Sequence, residues 1–132
     1  MNKFNEDKIY GDNSEKNIID CIEKYFDTEI TKTTDYYHLM DFYDDNNYYE
    51  IKSRRNKYNQ YPTTMIGYNK ILYAQKSTKD VYFIFSFTDG NYFYKFNKMD
   101  KLNLNMGGRG DRGKEEYKKY VFIPIEKLIK LE

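Results

Sequence analysis

The chain has 132 residues and a formal net charge of +1, enough for one domain with a sheet and covering helices but not for two cores. Apolar residues make up 39%, and 16 Tyr and 9 Phe carry much of the buryable surface, which excludes a disordered chain. A single cysteine, Cys21, and a single histidine, His38, exclude an intrachain disulfide, a Cys-based zinc site and a multi-histidine metal site.

Residues 1–11 are polar and expected to fray. From Ser14, the recurrence of Ile18, Ile19, Ile22, Tyr25 and Phe26 predicts a helix capped by Asp12 or Ser14. Residues 29–34 favour an extended form. Two short runs follow, 38–45 and 48–55, separated by Asn46-Asn47, a pair suited to a tight hairpin turn. Pro62 ends that ribbon, and Thr63 or Thr64 is expected to cap a second helix running to about Ser77, with Tyr68, Ile71, Leu72 and Gln75 buried. Val81–Phe87 reads as a buried strand, Asp89-Gly90 as a turn and Asn91–Phe96 as the partner strand. Residues 105–114 read as a flexible basic loop, Tyr120–Ile125 as a last strand and Ile125–Leu131 as a short helix. The expected fold is one α/β (α+β) domain over residues 1–132, a mixed β-sheet flanked by helices in the order α-β-β-β-α-β-β-loop-β.

Charge is segregated along the chain. Asp27 to Glu50 holds seven acids against one base, Lys32, whereas Lys52 to Lys79 holds seven bases and no acid. Acids beside bases suit a protein that holds a metal and then a polyanion, although two solvated faces of opposite sign would give the same pattern.

The hairpin decides which of these side chains meet. With Asn46-Asn47 as a two-residue turn, Asp41 lies opposite Lys52, Tyr43 opposite Glu50 and Phe42 opposite Ile51. A four-residue turn centred on the same pair keeps this register. Alternation then projects Asp41, Glu50 and Lys52 from one face and Phe42 and Ile51 from the other. Two carboxylates and the Ile51 backbone carbonyl suit a hard cation such as Mg²⁺ or Mn²⁺, and the Lys52 ammonium can orient water or offset transition-state charge. The alternative is an exposed Asp41–Lys52 salt bridge, worth about 0–1 kcal/mol.

Asp41, eight residues, then Glu50-Ile51-Lys52 resembles the D-x(n)-(D/E)-x-K motif of the PD-(D/E)XK nucleases. Met40 stands where the family's proline is usual. The resemblance implies a restriction-endonuclease-like core, metal binding by Asp41 and Glu50, and catalysis by Lys52. Many members also carry an acid in the first helix, for which Glu15 is the candidate, because it extends the stripe of Ile18, Ile19 and Ile22. A capping box, Asp12-x-x-Glu15, is the other reading of that residue. Glu23 lies on a different face and reads as solvated, and His38 as a strand residue. The helix-borne Gln-x-x-x-Tyr pattern of the RecB-like branch is absent.

Arg54, Arg55 and Lys57 are candidates for substrate phosphates, Tyr68 and Asn69 (with Tyr61) for contacts from the second helix, and Arg109 and Arg112 for contacts from the Gly-rich loop. The expected function is metal-dependent hydrolysis of DNA by a small endonuclease or branched-DNA resolvase. A homodimer is expected, because one small core offers little surface to a duplex. The alternative is an inactive nuclease-fold protein that binds nucleic acid or another protein. With no membrane-spanning run and no signal-peptide pattern, an intracellular, reducing setting such as the cytoplasm is expected. The Lys-, Asn-, Ile- and Tyr-rich composition points to a virus, phage or low-GC bacterium, hence a host cell if viral.

Overall fold

The computed structural model describes the backbone of residues 3–34, 38–108 and 117–131, and the side chains of 15–34, 38–104 and 119–131. The first helix, α1 (Lys3–Phe26), starts well before the Ser14 expected from the apolar repeat, so neither Asp12 nor Ser14 caps it. It stops at Asp27, whose φ of 51° is left-handed. The Thr28 amide then returns to the Glu23 carbonyl at 3.1 Å, closing the last turn by the bond typical of a Schellman cap. Glu23 is not merely solvated, because its Oε2 accepts from the Ile30 amide at 2.9 Å.

Next come β1 (Thr31–Lys32), β2 (Phe42–Tyr43) and β3 (Asn47–Ser53). Residues 63–67, expected to begin a helix, instead form β4 (Thr63–Gly67), and α2 (Tyr68–Lys76) begins after it. Thr64 and Ile66 are buried between half-exposed neighbours, a period of two that suits a strand rather than a helix start. In the shorter α2 the buried positions are Ile71 and Ala74, while Leu72 and Gln75 are exposed and Tyr68 is half-buried. The remaining strands are β5 (Asp80–Phe87), β6 (Gly90–Lys95), β7 (Asn103–Gly108) and β8 (Tyr117–Pro124). A short 3₁₀ turn (Ile125–Lys127) and β9 (Ile129–Lys130) occupy the span expected to be helical. The start of the expected basic loop is therefore strand, and Arg109 and Arg112 lie outside the described residues.

Six strands form one mixed sheet in the order β1-β2-β3-β5-β6-β9, and β4-β8-β7 form a second, antiparallel one. Among the described residues only β3 and β5 run parallel, with Glu50 beside Phe83 and Lys52 beside Phe85. The chain between them passes through β4 and α2, the crossover that parallel strands require. Alternation along β5 divides the core. Val81, Phe83, Phe85 and Phe87 pack toward α2 and the second sheet, with Ile66, Ile71, Val121 and Ile123. Ile84, with Tyr49, Phe42 and Phe93, packs on the other face under Ile18 and Ile22 of α1. Glu50 and Lys52 thus emerge on the α2 face, opposite to α1.

Candidate active site

The β2–β3 hairpin brings the acids together through an aspartate of its own. Asp44 Oδ1 accepts from the Asn46 and Asn47 amides at 2.9 and 2.7 Å, and Oδ2 accepts from the Tyr49 and Thr28 hydroxyls at 2.8 and 3.1 Å. Burial alone would raise its pKa. The hydrogen bonds from Tyr49, Asn46, Asn47 and Thr28 outweigh burial and lower it. The same contacts, with burial first, push the Tyr49 phenol well above its usual value.

This capture of two amides places the turn at Asp45-Asn46, one residue earlier than expected. Phe42 therefore pairs with Tyr49, and Tyr43 with Tyr48. The expected pairings of Phe42 with Ile51, Tyr43 with Glu50 and Asp41 with Lys52 are shifted by two residues. An even shift keeps every side chain on its face. Just beyond this ladder the Asp41 carboxylate lies beside that of Glu50 rather than opposite Lys52.

Asp41 sits just past the end of the β2 ladder. Its amide bonds the Tyr49 carbonyl at 3.1 Å, and its Oδ2 takes the place of a strand acceptor, receiving the Ile51 amide at 2.9 Å. Within a strand the N–H and C=O of one residue point to the same side, so the Ile51 carbonyl also faces the Asp41 side. The segment leading in is fastened by Thr33, whose hydroxyl donates to the Met40 carbonyl at 2.7 Å. His38 fastens it too, with Nδ1 accepting from the Met40 amide at 3.1 Å and Nε2 lying 3.2 Å from the Tyr73 hydroxyl. His38 is thus a pin for this irregular segment and precedes the strand.

Glu50 is only 1% exposed. Burial first, and then the adjacent Asp41 carboxylate, raise its pKa to about 8, with Lys70 acting in the opposite direction. Lys52 Nζ stands 3.9 Å from Glu50 Oε2, whereas Lys70 Nζ, from α2, stands 2.8 Å away. The Lys70 ammonium also donates to the Leu39 carbonyl. Glu50 Oε2 nevertheless has no aligned hydrogen-bond donor, so the close Lys70 contact is an ion pair rather than a directed bond.

A buried carboxylate oxygen without an aligned donor, next to a second carboxylate and a backbone carbonyl, fits a hard cation. Mg²⁺ takes one or two carboxylates and fills its remaining positions with water and phosphate. Among the described residues no three His, Cys, Asp or Glu side chains converge. Glu15, expected to add a third acid, instead pairs with Lys32 at 3.5 Å, on the helix that covers the opposite face.

A family model described as "Phage putative PDDEXK endonuclease" matches residues 8–131. The chain belongs to this family. It is thereby a member of the PD-(D/E)XK superfamily, and its mixed sheet with two helices is compatible with the restriction-endonuclease-like core. None of the curated proteins and none of the solved structures compared matches it. No helix among the described residues is long and apolar enough to cross a membrane.

Within this endonuclease family member, the basic residues after Lys52 divide into two kinds. Arg54 is tied inward: Nη2 donates to the Met65 carbonyl at 2.6 Å, Nε lies 3.4 Å from Thr64 Oγ1, and the guanidinium sits 5.8 Å over the Phe85 ring. Burial lowers its pKa. It joins the two sheets, whereas Arg55 and Lys57 are exposed, as is Asn69. Tyr68 is half-buried and packs against the core, 6.0 Å beneath the Lys119 ammonium. The sequence does not single out Lys70, because the expected buried stripe runs through Tyr68, Ile71, Leu72 and Gln75, whereas the buried residues are Ile71 and Ala74. Lys70 shares a face with buried Ala74, four residues on, and an ammonium aligned with a buried residue signals a buried partner.

Proposed function

We propose that this endonuclease family member hydrolyses DNA phosphodiester bonds with a divalent metal, Mg²⁺ or Mn²⁺, at Asp41, Glu50 and Lys52. The observation that carries this reading is the pair of carboxylates facing each other beyond the β2 ladder, one with a buried oxygen that lacks an aligned donor. The Asp41 and Glu50 side chains and the Ile51 carbonyl would hold the ion. When bound, the ion lowers the pKa of a coordinated water and offsets charge growing on the phosphoryl oxygens. Lys52, more than a third exposed while still 3.9 Å from Glu50, can face the reacting phosphate and orient the water or neutralise developing charge. Arg55 and Lys57, with Arg109 and Arg112, supply charge for the flanking backbone phosphates, and Asn69 can add a contact from α2. Glu15 is left out of the ligand set because its partner is Lys32. A homodimer belongs to the same reading and is measured by sedimentation.

The test is incubation of the protein with linear duplex, single-stranded and four-way-junction DNA in Mg²⁺, Mn²⁺ or EDTA. Cleavage that EDTA abolishes supports the reading, and the preferred substrate names its class. Binding without cleavage in any metal would select the inactive nucleic-acid-binding protein instead.

A further inference from the structure

The Asp-Glu-Lys motif accounts for one ammonium, yet Glu50 is held more closely by another. A carboxylate removed from water needs a counter-charge. Lys70 Nζ provides it at 2.8 Å, nearer than Lys52 at 3.9 Å, and reaches in from α2, the element that covers this face of the sheet. The contact is close but not aligned as a directed hydrogen bond. Lys70 also has a second anchor, the carbonyl of Leu39, two residues before Asp41.

We propose that Lys70 is a resident cation of the metal site, neutralising Glu50 in the metal-free protein and yielding that carboxylate when a divalent ion binds. The inference rests on Asp41 and Glu50 being metal ligands. A metal–oxygen distance of about 2.0–2.1 Å would put an ion on Oε2 within about 5 Å of the present ammonium position, where two cations repel strongly. The Leu39 carbonyl keeps the released ammonium at the site. With both carboxylates ionised, Asp41 and Glu50 balance Lys52 and Lys70 in formal charge, so a divalent ion leaves the loaded site positive. A phosphodiester is therefore drawn in after the ion, with Lys70 joining Lys52 beside it.

Amine acylation of the full-length protein, read residue by residue by mass spectrometry, tests the exchange with Mg²⁺ alone and no DNA. Lys70 should react slowly in EDTA and at least tenfold faster in saturating Mg²⁺. Lys79, which donates to the Asp44 carbonyl at 2.7 Å and has no contact with the carboxylate pair, should react alike in both. In Glu50→Gln, Lys70 should react fast with or without Mg²⁺. Calorimetry on the same samples separates the two levels of the argument. If Mg²⁺ binds and Lys70 stays protected, or if Glu50→Gln leaves Lys70 protected, the exchange is overturned while the metal site stands. If Mg²⁺ does not bind, the metal reading fails and the exchange fails with it.

Discussion

Replacing Glu50 by Gln should make the metal-free protein more stable in alkali while removing its response to metal. Burial and the Asp41 carboxylate raise the Glu50 pKa from 4.5 to about 8 in the folded protein. Each tenfold change in proton affinity is about 1.36 kcal/mol, so an ionised Glu50 costs the fold about 5 kcal/mol at most. The folded state holds this proton more tightly than the unfolded chain. The stabilisation is therefore complete below about pH 4.5 and is lost as pH rises toward 8. Gln keeps the shape and does not titrate. Urea unfolding in EDTA at pH 6 and pH 9 should show the wild type losing about 2–3 kcal/mol more than Glu50→Gln across that interval. Added Mg²⁺ at pH 9 should restore the wild type and leave the variant unchanged. Parallel pH dependence in the two proteins would refute the claim that Glu50 is buried at an energetic cost beside Asp41.

Arg54→Ala should destabilise by about 2–3 kcal/mol in urea unfolding, because it strands the Met65 carbonyl between the sheets. Arg55→Ala should leave stability within about 0.5 kcal/mol and instead reduce the salt slope of DNA binding by about 1; an unchanged slope would remove Arg55 from the substrate surface. Asp44→Ala, which removes the acceptor of two turn amides and the Tyr49 hydroxyl, should cost about 2–4 kcal/mol and lower activity at a distance from the chemistry. If its activity and hairpin amide chemical shifts match the wild type, Asp44 does not set the register.

The alternation that places Glu50 and Lys52 together, and Phe42 with Ile51 opposite, was legible because side-chain period in a strand is independent of an even register shift. The register itself was not legible. Asn46-Asn47 is a good turn pair by propensity, but the Asp44 carboxylate binds both of its amides and moves the turn. Thr63 and Thr64 after Pro62 look like helix caps, and only pairing with β8 shows them to be strand. Lys70 was hidden separately, because the apolar pattern favours a stripe through Leu72 and Gln75 while the fold buries Ala74. Arg54, by its place in a basic run, suggests a phosphate ligand. Its neighbours Met65 and Phe85 are remote in sequence, and only the packed fold brings them around the guanidinium. Glu15 follows the same logic, being aligned with a buried stripe yet met by Lys32 from β1.

Single-turnover cleavage of labelled duplex DNA as a function of Mg²⁺ concentration, comparing the wild type with Lys52→Met, tests the proposed metal-dependent centre most directly. Both carboxylates survive the substitution, so the Mg²⁺ concentration at half-maximal rate should stay the same or fall. The plateau rate should drop on the order of 10²–10³, the scale of losing one preorganised electrostatic donor. Cleavage by Lys52→Met at the wild-type rate, or wild-type cleavage that persists in EDTA, would contradict the assignment of Asp41, Glu50 and Lys52 as the metal-dependent centre.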